Sequence, residues 1–520
     1  MKQHQKEELR SRRDFLRQST CASLGVTGLV NVLANLRLIT AASAQVLPQD
    51  YKALVCLFLS GGNDSNNMIV PLGDTLSSEL RSDYESARGA LALPVLNPID
   101  GTPSLHPLTP ASDNAFQRHY AGTNQPLGLH PSCGEMATLF AEGDLAILAN
   151  VGTLAYPLQN RDEYINKTVP LPMQLFSHSD QSTQWQSSVA DKRFASGWGG
   201  RAADLLNASY NADSKASMSI SLAGLNTFQV GTAGVVNQYS VGTGGAVSLS
   251  GYGTNYSYAY NNPSETSEGY TSNANGLRLA AFEKIMNLTH ENLLEDHYNS
   301  IIRNARATEG VVGAALTAAA SSGVDFDAHF MNAQTSLGDQ LKAVAKLIAG
   351  RQAIGNNRQI FFCEIRGFDT HASALGSHEN LMAELSGALG AFRNTLKDPG
   401  LDVFDDVTTF TMSDFNRTLL ANGSDDESGS DHAWGGHHVV MGGAINGGDI
   451  YGHFPPLKTG AGLDTHTTRG RFIPETSVDQ YAAILTKWMG VGSNEIEAIF
   501  PNLPRFDNPF TTESANLGFL

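Results

Sequence analysis

Cysteine is scarce. The 520 residues contain 4, and Cys21 falls in the amino-terminal leader described below. The odd remainder of Cys56, Cys133 and Cys363, without C-x-x-C spacing, argues against a disulfide framework and against a cysteine metal site. Charge is sparse as well, at 16% of residues, and lopsided: 34 Lys and Arg face 51 Asp and Glu, a formal −17. Beyond Ala44 the balance is 27 against 48. A surface of that sign repels phosphate backbones and anionic lipid, which argues against nucleic acid as a partner and favours divalent cations. No segment after the leader is long and apolar enough to span a bilayer. A Walker-type glycine-rich cradle and a dinucleotide fingerprint are also missing. What is present, 41% hydrophobic residues and 51 Gly, is a globular composition rich in turns.

The first residues read as an address. Ser11-Arg12-Arg13-Asp14-Phe15-Leu16-Arg17 sets two arginines before an apolar pair, a mildly apolar run follows from Cys21 to Thr40, and Ala42-Ser43-Ala44 precedes Gln45. That is a charged region, an apolar region and an A-x-A cleavage site, with the twin arginine marking the Tat route. Asn35 and Arg37 interrupt the apolar stretch and speak against an anchor. The expectation is a Tat signal over 1–44 and a protein released to the periplasm or beyond. Because that route carries folded proteins, it hints at folding in the cytoplasm around a metal or cofactor.

Ala53 to Leu59 is a continuous apolar run that reads as a buried strand, and Leu145 to Val151, Gln359 to Ile365 and Val407 to Met412 read as three more strands. Cys133 to Glu142 and Ser477 to Met489 read as amphipathic helices, with Tyr481 and Trp488 of the latter assigned to the core. The recurring order of helix, strand and polar loop predicts an α/β fold, a doubly wound and mostly parallel sheet. Residues 50–204 and 353–520 form its two halves. Between them lie a Gly/Ser/Tyr-rich insertion over 205–275, with short alternating pieces, and a helical insert over 276–352. The insertion offers a surface to a protein partner or is a tolerated loop.

Ligands of such sheets bind outside the carboxyl ends of the strands. After the first strand comes Ser60-Gly61-Gly62-Asn63-Asp64, after the third Gly367-Phe368-Asp369-Thr370-His371 with His378 beyond, and after the fourth Ser413-Asp414-Phe415-Asn416-Arg417, then Asp431-His432 and His437-His438. Carboxylates and imidazoles suit Zn²⁺, Mn²⁺ or Mg²⁺, and Ca²⁺ is a further candidate. Two such ions can clamp the attacking and leaving oxygens of an ester. His437 and His438 are neighbours on a strand pattern, so one at most faces a shared site. Arg201 and Arg417 are candidates to bind an anionic substrate oxygen, weighed against an ordinary surface ion pair.

The succession of twin-arginine leader, FLSGGND, FSHSDQSTQW, GFDTH, SDFNRT, DHAWGGHHVVMGG and RGRFIPETSVDQYAAILTKWMGV resembles a widespread bacterial family of exported proteins of unknown function. That family is placed in the alkaline phosphatase-like superfamily, with sulfatases and phosphoglycerate mutases. The resemblance covers Leu54 to Pro501 apart from the polar insertion. It implies two metal sites at one sheet edge, with Asp64, Asp414 and His432 in one and Asp369, His371 and either His437 or His438 in the other. It also implies a hydroxyl nucleophile in the segment after the second strand, with Ser177 the first choice and Ser179 the second. The sequence departs from the superfamily pattern in two places: Asp369 and His371 stand two apart instead of four, and the Cys-x-Pro-x-Arg signature of formylglycine-dependent sulfatases is missing.

The function expected from these readings is an exported hydrolase that uses one or two divalent metal ions on a small-molecule or polymeric phosphate or sulfate ester. The competing expectation is a non-catalytic envelope or secreted protein that keeps the fold to bind a partner.

Overall fold

The apolar run beginning at Ala53 divides by parity. Ala53, Val55, Leu57 and Leu59 enter one hydrophobic core, and Leu54, Cys56 and Phe58 enter another. Successive strand residues point to opposite faces, so a run apolar at every position is what a sheet covered on both sides requires. This computed structural model describes residues 50–520 except 74–78, 111–125, 233–234, 247–257, 260, 262–268, 289–292, 467 and 512–516. The leader expected over 1–44, Cys21 included, lies outside the described residues.

In chain order the strands of the main sheet begin with β1 (Lys52–Ser60), β2 (Leu145–Gly152), β3 (Ser219–Ser221), β4 (Tyr239–Gly242) and β5 (Gly245–Ala246). β6 (Arg358–Arg366) and β7 (Val407–Ser413) follow, then a small ribbon of β8 (Arg417–Ala421) and β9 (Ser430–His432) outside that sheet. The main sheet is completed by β10 (Gly436–Met441), β11 (Ile450–Gly452) and β12 (Thr476–Ser477). Its order is β11-β2-β10-β7-β1-β6-β3-β4-β5, with β12 paired to β2, and most pairs are parallel. One face is covered by α1 (Gly134–Ala141), α4 (Leu293–Ala320), α5 (Ser336–Ala349) and α6 (Ala374–Leu396). The other is covered by α2 (His178–Ser187), α3 (Trp198–Tyr210) and α7 (Val478–Trp488). α7 starts at a reciprocal capping box between Ser477 and Gln480, which satisfies two of its free amide donors.

All four strands expected from the sequence are present, and all four end at one edge. β6 and β7 flank β1 in parallel, and β10, antiparallel to both β7 and β2, brings β2 into the same direction. Within the segment 205–275, α3 continues to Tyr210, and β3 joins the main sheet parallel to β6. Its Ser-Ile-Ser sequence contains no apolar run, so the hydrophobic pattern does not announce a sheet strand there. Cys56, Cys133 and Cys363 are buried free thiols. Among the described residues no helix is long and apolar enough to cross a membrane.

Candidate metal centre

The loop after β1 must turn sharply beneath the loop after β6. Gly61 has φ +115°, and a Cβ there would run into the Asp369 amide, with the Phe368 carbonyl carbon 2.9 Å away. Gly62, at φ +86°, leaves room for the Phe415 ring, whose nearest carbons would stand 2.6 Å from a Cβ. Only glycine combines that backbone with that proximity. Phe415 then lies against two imidazoles, those of His178 and His432, each 4.7 Å away between ring centroids.

Those rings belong to a convergent set. His178, Asp369 and His432 each offer one ligand atom, and these atoms lie within 4.8 Å of one another. His178 Nε2 is 3.1 Å from His432 Nε2, and both are 3.4 Å from Asp369 Oδ1. His371 stands beside two of the three, its Nε2 2.9 Å from His432 Nε2 and 3.1 Å from Asp369 Oδ1. Ligands about 2.1 Å from one ion at tetrahedral angles stand roughly 3.4 Å apart, and these separations are of that size.

What fixes the ring nitrogens is the opposite side of each ring. His178 Nδ1 donates to Asp414 Oδ2 at 2.7 Å, and the same oxygen accepts the Gly61 amide at 3.2 Å. His432 Nδ1 donates to the Phe176 carbonyl at 2.8 Å, an oxygen that can only accept. His371 Nδ1 faces Asp431 Oδ1 at 3.4 Å, and Arg469 holds the other oxygen of Asp431 at 2.9 Å. With the Nδ1 protons of His178 and His432 committed, their Nε2 atoms, when the rings are neutral, present lone pairs to one another and to a carboxylate. Lone pairs at 3 Å repel unless a proton or a cation lies between them. An acceptor behind each histidine is also the arrangement that orients metal-bound imidazoles.

The charges agree. The hydrogen bond to Asp414 raises the His178 pKa above the ordinary value, against the opposing effect of burial. Burial lowers that of His432, the hydrogen bond to Phe176 works against it, and the charge of Arg417, with that of His178 and His371 when protonated, adds to the lowering. Burial would raise the Asp369 pKa, but a hydrogen bond from Arg417 Nη1 at 2.7 Å and the guanidinium charge outweigh it, so the carboxylate is held below the usual range. Arg417 is fully buried and also donates to the carbonyls of Gly61 and Ser430.

Phe176 has φ +71°, a left-handed conformation that costs a bulky residue about 1–2 kcal/mol. Its amide donates to Gln181 Oε1 at 2.6 Å, and Gln181 Nε2 in turn donates to Thr153 Oγ1 at 3.2 Å. That bracing aims the carbonyl at His432. Ser177 stands between Phe176 and His178 and caps α2 by position, yet its hydroxyl makes no cap bond and donates instead to Asp180 Oδ2 at 2.7 Å. The Ser179 hydroxyl is 3.3 Å from that of Ser177.

Of the residues singled out from the sequence, Asp369, His371, Asp414 and His432 are brought together. Asp64 is not in the group: it is buried in an ion pair with Arg88, which also donates to Asn67 and to the carbonyls of Thr418 and Leu419. The second oxygens of Asp64 and Asp414 are buried without a partner. His437 is elsewhere, stacked 4.5 Å from Phe454 with Nδ1 accepting the Asn150 amide at 3.1 Å, and burial lowers its pKa to about 3. His438 packs on Trp185 and is lowered to about 3 by burial. His378 is buried beside His130 with Nε2 at Asn63 Oδ1, 3.1 Å. Among the described residues one such group is gathered, where two were expected. The expectation that Arg201 is an exposed base is corrected: it is buried and donates to the carbonyls of Ser187, Ser196 and Ile499. His178 is the ligand-type residue that sequence reasoning does not single out. Its signal is its place in FSHSDQ, a polar segment following a strand whose end lies at the ligand edge, where the serines draw the attention.

Residues 51–470 match the model of a protein family described as a protein of unknown function (DUF1501), and the chain belongs to that family. No curated protein matches it.

Proposed function

We propose that this member of the family is an exported, metal-dependent hydrolase with an alkaline phosphatase-like core, acting on a phosphate or sulfate ester. The observation that carries the reading is the tautomer lock: His178 and His432, whose Nδ1 atoms are tied to Asp414 and Phe176, turn their Nε2 atoms toward Asp369 Oδ1, and His371 Nε2 joins them there. His178, His371, His432 and Asp369 would hold one ion. An imidazole-rich set favours Zn²⁺ or another borderline ion over Mg²⁺ and Ca²⁺, which require oxygen ligands. A bound ion would polarise an ester oxygen and offset the charge that grows on it. Ser177 is the nucleophile of this reading, and Asp180 accepts its hydroxyl hydrogen bond, so the carboxylate is placed to take the proton. Arg417 keeps Asp369 ionised and oriented. Export rests on the twin-arginine leader.

Metal analysis of the full protein purified without chelator, followed by a panel of chromogenic phosphate monoesters, phosphate diesters and sulfate esters, tests the reading. One equivalent of metal and a turnover that His432→Ala abolishes are expected. Sub-stoichiometric metal together with a melting temperature indifferent to chelator would defeat it. The competing reading, a non-catalytic envelope or secreted protein, draws support from Asp64, whose pairing with Arg88 withdraws a carboxylate from a two-ion site. Bound metal with silence across the panel favours it.

A further inference from the structure

Arg88, Arg201, Arg358 and Arg417 are buried, and each donates to several oxygens. Arg471 is the exception. Its backbone is fixed, with the amide donating to Asp464 Oδ1 at 2.9 Å and the carbonyl accepting the Thr465 amide at 2.9 Å. Its guanidinium lies 4.5 Å over the Phe176 ring, and among the described residues it makes no hydrogen bond or ion pair, its Nε being buried without a partner. A buried guanidinium Nε without an acceptor is costly, all the more in a chain with 51 acidic residues that could have supplied one. Arg469, two residues away, adds like-charge repulsion, which the nearby carboxylates of Asp431 and Asp464 oppose without bonding the guanidinium.

The place of this cation is informative. Phe176, on which it stacks, passes its carbonyl to His432, so the guanidinium stands within one side chain of the metal centre. On the other side Tyr164, which senses the Arg471 charge, lines a cavity of about 540 Å³ together with Lys167, Val169, Leu171 and Leu175. Tyr164, Val169, Leu171, Leu175 and Phe176 pack on the same apolar cluster around Trp434. The chain therefore runs from the cavity wall at Leu175, through the ring that carries Arg471, to the ligand His178. The cavity walls are mostly apolar with Lys167 as their cation, and Arg471 lies outside the wall, next to Tyr164 and Phe176.

We infer that Arg471 and this cavity form the specificity-determining subsite of the centre, which selects esters with an aryl or alkyl body. Arg471 takes the ester's anionic oxygens in bidentate fashion, and the body lies between Tyr164 and Leu175. The inference rests on the hydrolase reading for its substrate class but not for its binding chemistry. Phenylphosphonate, which offers a phosphoryl dianion on an aryl body and cannot be hydrolysed as an ester, is the probe, with inorganic phosphate as its body-less counterpart. Both are titrated calorimetrically into the full protein, in zinc-loaded and chelator-treated form.

Phenylphosphonate is expected to bind more tightly than phosphate in both forms. Arg471→Met weakens both ligands by roughly tenfold or more, and Arg471→Lys recovers part of the loss, as a point charge replaces a fork. Leu171→Asp removes the preference for phenylphosphonate while phosphate binding stays as it was. Unchanged melting temperatures show that the variants fold. Wild-type affinity in Arg471→Met, or no binding of either anion by the wild type, would overturn the inference. Binding that depends on Arg471 but not on zinc, in a protein silent toward the ester panel, upholds the subsite and removes the hydrolase.

Discussion

His178 Nδ1 lies 2.7 Å from Asp414 Oδ2, and through that bond a carboxylate at the end of β7 decides which nitrogen of a histidine at the start of α2 faces the centre. Removing the acceptor frees the ring to change tautomer and to rotate. Asp414→Ala is expected to weaken zinc affinity roughly 10–100-fold, measured by competition with a chromogenic chelator, while Asp414→Asn, which keeps an acceptor, loses less. Equal affinity in wild type and Asp414→Ala would show that the pair has no part in metal binding.

Ser177 and Ser179 can be told apart. Ser177→Ala should retain a full equivalent of metal and the wild-type melting temperature, yet lose turnover by about a thousandfold or more on whichever ester the wild type cleaves. Ser179→Ala should change turnover by less than about tenfold, because its hydroxyl reaches Asp180 Oδ2 only at 3.5 Å, against 2.7 Å for Ser177. Activity retained in Ser177→Ala would transfer the nucleophile to another group.

Gly61→Ala combines a forbidden backbone with a collision against the loop that carries Asp369. A loss of about 3 kcal/mol in stability is expected from the shift in denaturant midpoint, with weaker metal binding in what remains folded. A change below about 0.5 kcal/mol would mean that the two loops are not in contact.

A pH effect is expected far from the centre. Asp479, in the first turn of α7, is buried, and burial pushes its pKa up to about 7 against the Ser188 hydroxyl and the charges of Arg201 and Arg505. The folded protein therefore holds this proton more tightly than the unfolded chain, where the pKa is about 3.9. Its contribution to stability is greatest below about pH 4 and declines as the pH rises to about 7, by at most about 4 kcal/mol. Asp479→Asn should remove that decline, so that the variant gains on the wild type between pH 4 and 7. Denaturant unfolding at several pH values measures it, and parallel curves for the two proteins would refute the assignment.

The sequence displays the scaffold more openly than the centre. Runs such as Ala53 to Leu59 are apolar at every position because both faces are covered, and that pattern needs no tertiary knowledge. Ser219–Ser221 shows the limit: it completes the sheet with one apolar residue, and its pairing with β6 is set by neighbours. At the centre, Asp369, His371, Asp414 and His432 are legible because they follow strands that share an edge. Asp64 follows the same rule but is neutralised by Arg88, and nothing in the sequence pairs two residues on different elements. His437 sits beside a glycine pair in a motif rich in histidine, but strand alternation and a bulge near Gly436 turn it toward Phe454. His178 escapes because a lone imidazole between serines carries no spacing signal, and its role appears only when Asp414 is placed behind it.

The pairing of β1 with β6 and β7 also bears on how the molecule is made. The first strand emerges from the ribosome roughly 300 residues before either of its neighbours, so a long loop has to close before its backbone groups find partners. Until then an apolar strand with two unpaired sides is exposed to aggregation. The proposed ligands span His178 to His432, so no shorter nascent chain could gather them, and an ion held by this group would have to await nearly complete synthesis.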